Sequence, residues 1–251
     1  MEWRFEVGVA SKNGILAALL AKEGAISAST AIEGEAGFLN AFANSTEMSE
    51  LIAKDLGKVW SIMETGFKPY PVCAFNQTPV RTMLDLIDKN NFSYEDIEKI
   101  QVPVNPYEYN YAGMNSKGPF DSVGATLMST PFCIALACVD RQVTLEGLTR
   151  FNDSKIKQLI NRINHLPDEK IERYCAEITV HTKDGRKLKK ESNEGPKYYN
   201  FDMDRTIELA NRVTSETGVS QEKVARMIDM IKNMDKASDV KDLALLLGSC
   251  P

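Results

Sequence analysis

Apolar residues recur at helical spacing at both ends of the chain, and the pattern changes in the middle. Val7, Val9, Ala10, Ile15, Leu16, Ala18, Leu19 and Leu20 leave Val7–Gly24 apolar on most faces. Such a segment predicts a helix buried between other helices, with small residues permitting close approach and Gly24 as its C-cap. Met48, Leu51, Ile52, Leu56 and Val59 predict a second helix over about Thr46–Val59. Phe67-Lys68-Pro69-Tyr70-Pro71 cannot be a helix interior, because two prolines fix φ and remove donors. Thr78-Pro79 reads as an N-cap with proline at the first helical position, followed by a stripe of Val80, Met83, Leu84 and Ile87. Ile100–Val104 alternates like a strand, with Pro103 placing it at an edge or a strand end. A polar loop rich in Gly, Asn and Tyr spans roughly Asn105–Asp121, a length more often functional than not.

Gly124–Val139 reads as one buried helix, and Leu145–Phe151 and Lys155–Ile163 as short ones. Alternating Ala176–Thr182 and Arg186–Leu188 flank Asp184-Gly185, which predicts a hairpin with a type I′ turn. From Met203 onward the pattern is helical again, through Ile207, Val213, Val224, Ile231 and Leu243–Leu247. The order predicts an α+β protein: an α+β domain over residues 67–197 inserted into an all-α body formed by 1–66 and 198–251.

The 251 residues, 43% hydrophobic and 26% charged, suit a soluble globular chain of one large or two small domains. The longest apolar run, near Cys133–Val139, is far short of a membrane span. A net charge of −5 argues against an electrostatically driven nucleic-acid binder. Met1-Glu2-Trp3-Arg4 has no basic region leading into an apolar core, and five scattered cysteines fit reduced thiols; both point to the cytoplasm. No CxxC, HxxxH or HExxH spacing is present, so no metal site is expected.

The most unusual stretch is Lys68–Pro79, which packs a cation, a phenol, a thiol, two amides and a helix start into twelve residues. A helix N-terminus with an adjacent lysine favours a carboxylate or phosphate. The structural alternative is a proline-rich helix entry in which Lys68 is solvated, Cys73 fills core and Asn76 and Gln77 cap. A second candidate is Asn115-Ser116-Lys117-Gly118 with Ser129-Thr130-Pro131-Phe132, whose hydroxyls and backbone could meet an anion; its alternative is a surface loop and a helix kinked at Pro131. His165, in a short loop before Leu166-Pro167, and His181, opposite in parity to Val180 on a strand, are weak catalytic candidates. Cys133 and Cys138 read as core, and Trp3 and Trp60 as packing residues.

Several stretches in order resemble the MmgE/PrpD family, whose members include 2-methylcitrate dehydratase, cis-aconitate decarboxylase and iminodisuccinate epimerase. They are Val7–Gly14 with its Ala/Leu-rich helix, Ile32–Phe38, Lys68-Pro69-Tyr70-Pro71-Val72-Cys73, Ser129-Thr130-Pro131-Phe132 with Ala135, Val143-Thr144-Leu145, and Asp184-Gly185. The resemblance implies an all-α body with a two-layer α+β lid containing an antiparallel sheet. It implies cofactor-independent chemistry on a small di- or tricarboxylic acid, by proton abstraction next to a carboxylate through an enolate-like species. Lys68 matches the family's lid-entry lysine and is the catalytic candidate that holds or stabilises the carboxylate. Tyr70, Cys73, Asn76, Gln77 and Ser129 are the candidate substrate-binding residues.

The departures narrow the chemistry. Gln77 stands where members often carry a histidine, and an amide cannot shuttle protons. Phe132 stands where decarboxylases carry a tyrosine, and Trp3-Arg4-Phe5-Glu6 lacks their lysine before Gly8. Family chains are also longer at the front, where an N-terminal helical half supplies an aspartate and a histidine. The expectation is therefore a lyase or epimerase that works as a homodimer or with a chain supplying that half. The competing expectation is a non-catalytic family remnant acting as a binding or assembly module.

Overall fold

The computed structural model describes the backbone of residues 2–248 and the side chains of residues 5–248. The chain divides after Thr65 into two compact units. In the first, helix α1 (Glu2–Lys22) ends in a Schellman turn: Gly24 has φ +88°, and the amides of Gly24 and Ala25 return to the carbonyls of Ala21 and Leu20. Two short helices follow, α2 (Phe38–Ala43) and α3 (Ser49–Ala53). The expected helix over 46–59 thus shrinks to five residues, because Ala53–Lys58 closes into turns instead. Among the described side chains of 5–65, Gly37 alone is buried. Phe5, Ile15, Leu19, Phe42 and Trp60 are exposed, so neither the burial expected of the first helix nor the packing role expected of Trp60 is found within this chain. Trp3 lies outside the described side chains.

The second unit is built on α4 (Ala74–Asn90), β1 (Ile97–Val104), α5 (Pro106–Tyr109), α6 (Val123–Met128), α7 (Thr130–Asp140), α8 (Ser154–Ile160), β2 (Ile163–Pro167), β3 (Ala176–Thr182) and β4 (Lys187–Ser192). Three further helices follow: α9 (Met203–Thr217), α10 (Gln221–Lys232) and α11 (Lys241–Gly248). The α+β class is confirmed, but the sheet is mixed. Its order is β2-β1-β3-β4, with β1 antiparallel to β3, β3 antiparallel to β4, and β2 parallel to β1. The long helical crossover from β1 to β2 makes the parallel pairing possible.

Helices α4 and α7 cover one face of the sheet. Val80, Met83, Leu86 and Ile87 of α4 meet Ile100, Val102, Ile178 and Val180 in one core, with Phe132, Cys133, Leu136 and Cys138 of α7. The other face is polar: His181 pairs with Gln101 at 3.2 Å and Lys189 with Glu177 at 2.9 Å. A sheet with one wet face shows this alternation.

Several local expectations are corrected. β1 is an inner strand despite Pro103. Pairing with β3 stops at Gln101, and the missing amide faces the side where that ladder has ended, while the amide of Ile100 serves the β2 side. The hairpin carries no type I′ turn. Gly185, at φ +86°, is its only left-handed residue, the Gly185 amide returns to Thr182 O, and the Thr182 amide returns to Arg186 O. That is a three-residue loop with a glycine bulge. His165 belongs to β2, which the polar string Asn164-His165 concealed. Its partner in register is Val102, so it falls on the core face of the sheet. The expected single helix over 124–139 is two, broken at Ser129, whose hydroxyl caps α7 through the Phe132 amide at 3.0 Å. The helices expected over 145–151 and 155–163 reduce to a single 3₁₀ turn at Gly147–Thr149 and to α8.

Candidate functional site

Helix α4 starts at Ala74 with Cys73 extended as its N-cap, so Thr78-Pro79 is not its beginning. Pro79 lies at the sixth helical position, inside the helix, and forfeits the backbone bond its amide would have made. Asn76 and Gln77, which read as capping residues, therefore sit in its first turns and reach outward to distant backbone.

Asn76 is fully buried. Its Nδ2 donates to the carbonyls of Leu127 and Met128, each at 3.1 Å, and its Oδ1 accepts from Thr130 Oγ1 at 2.7 Å. One amide thus holds the break between α6 and α7 against the start of α4. The Cys73 amide adds a bond to Leu127 O at 3.1 Å. Gln77, also buried, clamps the other segment. Its Oε1 accepts from the Tyr70 amide at 3.1 Å, and its Nε2 donates to Tyr70 O at 2.9 Å and Val72 O at 3.0 Å. Ser129 donates to Ser116 O at 2.6 Å while it caps α7. All three residues are brought to one junction, and the polar groups of each are committed inside the protein.

Lys68, Tyr70 and Cys73 differ. Lys68 is exposed and carries no hydrogen bond or ion pair among the described residues. Tyr70 is half-buried, and loss of water pushes its phenol up to about 12, against the opposing pull of Arg212. Arg212 of α9 donates to Pro69 O at 2.7 Å and lies 5.7 Å from the Tyr70 ring centre. Cys73 is partly exposed at the helix start, where the amides of Ala74 and Phe75 have no partner among the described residues. The α7 start offers no comparable free donors: Thr130 N bonds Met114 O, position 131 is proline, and Phe132 N and Cys133 N go to Ser129. The hydroxyls of Ser129 and Thr130 both donate within the fold, to Ser116 O and to Asn76 Oδ1.

Groups the sequence reading passed over flank this junction. Phe75 packs edge-on against Tyr107 and Tyr111 and lies 5.5 Å from Tyr174, with the Arg173 guanidinium 4.4 Å from the Tyr107 ring centre. Glu108 is buried beneath them, accepts from the Tyr174 amide at 2.7 Å, and has no partner for its Oε2. Burial raises its carboxyl to about 7, outweighing the Tyr174 amide and Arg173. Tyr174 itself has φ +61°, an uncommon conformation for an aromatic residue. The one available signal was the run Tyr107-Glu108-Tyr109 inside the long loop. Arg81 donates to Glu194 at 2.8 Å and stacks 3.6 Å over Tyr198, and Thr78 shares a 2.7 Å bond with Tyr199 Oη. These contacts fasten the segment after β4 onto α4.

A family model, the MmgE/PrpD C-terminal domain, matches residues 70–234. The chain belongs to the MmgE/PrpD family. No curated protein matches it. In this MmgE/PrpD chain the matched span contains Tyr70, Cys73, Asn76, Gln77 and Ser129 and begins just after Lys68. Among the described residues no cluster of His, Cys, Asp and Glu has the arrangement of a metal site, and no helix is long and apolar enough to cross a membrane.

Proposed function

We propose that this MmgE/PrpD chain takes part in a cofactor-independent lyase or epimerase reaction on a small di- or tricarboxylic acid. The observation that carries the reading is an exposed, unpaired Lys68 whose flanking backbone is fixed on both sides. Phe67 N bonds Tyr199 O at 2.7 Å, and beyond Lys68 the chain is held at Pro69 by Arg212 and at Tyr70 by Gln77. An ammonium carried on backbone held in this way can hold a substrate carboxylate and stabilise the charge that builds on it when the neighbouring carbon loses its proton. The free amides of Ala74 and Phe75 supply further donors for the same anion. In dehydration the electron pair left on carbon expels the β-hydroxyl, which leaves with a proton; in epimerisation the proton returns to the opposite face. Asn76 and Gln77 cannot accept the proton, so the base is assigned to a surface outside this junction, in a second copy or a chain supplying an N-terminal helical half. In this arrangement residues 67–197 act as the lid, and 1–66 with 198–251 as body.

Turnover is to be measured with a panel of hydroxy- and aminodicarboxylates, for the chain alone and mixed with a candidate N-terminal half. Activity that falls at least about a hundredfold in Lys68→Ala supports the proposal. Absence of turnover in both samples with folded protein sinks it. The second reading, a non-catalytic binding module, draws on the structural use of Asn76, Gln77 and Ser129; citrate binding that needs Lys68, without turnover, would favour it.

A further inference from the structure

We propose that Gln77 is a positioning residue that sets the placement of Lys68. The inference rests on the reading of Lys68 as the carboxylate-binding cation. It deepens that reading by assigning a role to a side chain with no proton to exchange. Residues 66–73 form no helix or strand, and Pro69 and Pro71 lack amides, so this segment has few backbone groups with which to fix itself. Gln77 meets that deficit with one planar group. It accepts from the Tyr70 amide and donates to the Tyr70 and Val72 carbonyls, all within 3.1 Å, from a buried position on α4. The N–H and the C=O of Tyr70 belong to the two peptide groups on either side of its Cα, so holding both fixes the orientation of the backbone through Tyr70 as well as its distance. Lys68 enters the segment two residues earlier.

The requirement is specific to an amide. A glutamate keeps the acceptor but turns a carboxylate toward two carbonyl oxygens and loses both donors. A neutral histidine offers one donor and one acceptor on separate edges of its ring, and a protonated one has no acceptor left for the Tyr70 amide. Gln77 therefore fits a supporting role. Asn76 does the equivalent work for the 127–130 segment, so two successive amides of α4 anchor the two halves of the junction separately.

The test uses the full chain, the variants Gln77→Met, which conserves volume, and Gln77→Glu, and two readouts. In hydrogen exchange the Tyr70 amide should exchange at least about tenfold faster in Gln77→Met, which loses its acceptor, and the Val72 amide, bonded to Tyr70 O, should do so in both variants, while those of Met83–Ile87 keep the wild-type rate. In calorimetric titration with citrate, Gln77→Met should weaken binding about tenfold in the wild-type background and have no further effect in Lys68→Ala. A purely structural role would weaken both backgrounds equally, and that result overturns the proposal. Unchanged exchange at Tyr70 in Gln77→Met overturns the clamp itself. Citrate binding that is absent, or indifferent to Lys68→Ala, overturns the carboxylate role of Lys68 and with it the functional part of the inference, while the exchange result still judges the clamp. If Gln77→Met does not fold, Gln77→Glu carries both measurements, with the Val72 amide as the exchange readout.

Discussion

Replacing Glu108 with glutamine should make stability rise with pH across a range in which these two buried groups leave the wild type level. The reason lies on either side of α5. Glu108 is buried with one unpartnered oxygen, and its carboxyl is raised from 4.5 to about 7 by loss of water. Its neighbour in the chain, Tyr109, lies 5.1 Å from the ring of His165. Both nitrogens of His165 are buried without a partner, and loss of water, helped by Lys117, lowers its titration from 6.5 to about 4. A raised carboxyl contributes stability below its unfolded value of 4.5 that is lost as pH rises through about 7. A lowered histidine contributes stability above 6.5 that is lost as pH falls through about 4. Between pH 5 and 6.5 the folded chain therefore carries one proton on Glu108 that the unfolded chain lacks, and lacks one on His165 that the unfolded chain has. The two slopes cancel. Each alone is worth up to about 1.4 kcal/mol per pH unit, so about 2 kcal/mol across that window, less where water near Arg173 screens Glu108. Glu108→Gln should gain stability by up to this amount from pH 5 to 6.5, and His165→Leu should lose it, measured by urea unfolding followed by circular dichroism. The lowered carboxyls of Asp153, Asp184, Glu191 and Glu194 have unfolded values of 3.8 or 4.5, below the window. Parallel pH profiles for wild type and both variants would refute the assignment of these two groups as buried and unpaired.

Asn76→Asp should destabilise by at least about 2 kcal/mol, because a carboxylate would face the Leu127 and Met128 carbonyls it now serves as donor; a chemical-denaturation midpoint equal to that of wild type would contradict this. Arg81→Lys should cost about 1–2 kcal/mol, since an ammonium cannot keep both bonds to Glu194 while lying flat on Tyr198, and the loss should appear in the same unfolding assay. The exposed Phe5, Ile15, Leu19, Phe42 and Trp60 predict association into a dimer or larger assembly at micromolar concentration, and a monodisperse monomer in sedimentation velocity would count against it.

The elements legible in the sequence are those whose pattern is local. The stripe Val80, Met83 and Ile87, the two sides of the 176–188 hairpin and the amphipathic tail each repeat over one turn or one strand, and each appears where the pattern puts it. Cys133 and Cys138 are buried as expected, and desolvation pushes both thiols upward. What stayed hidden depends on partners far away in the chain. The start of α4 lies four residues before the Thr78-Pro79 pair that reads as its N-cap and first-turn proline. Asn76 bonds backbone some fifty residues on, which no local rule reveals. β2 was missed because a five-residue strand with Asn164 and His165 has no alternation of its own. It is a strand because β1 offers an edge, and the outward carbonyl of Ile163 is then covered by Lys117 at 2.9 Å.

The same distinction separates the two parts of the candidate site. Composition alone places a cation, a phenol, a thiol and two amides within twelve residues, and that density singles the segment out. It could not separate groups that face a ligand from groups that hold the segment still. Hydrogen-bond accounting makes the separation. A buried side-chain amide must satisfy its donors and acceptor within the protein; Gln77 does so on backbone that has no secondary structure, and Asn76 on the last carbonyls of α6, which lie beyond the reach of that helix's own bonds. Lys68 has no such requirement, because it is exposed and water serves its ammonium. The division follows from exposure: the buried polar groups of this junction hold its backbone, and Lys68, the half-buried Tyr70 and the partly exposed Cys73 are the members of the segment left open to solvent.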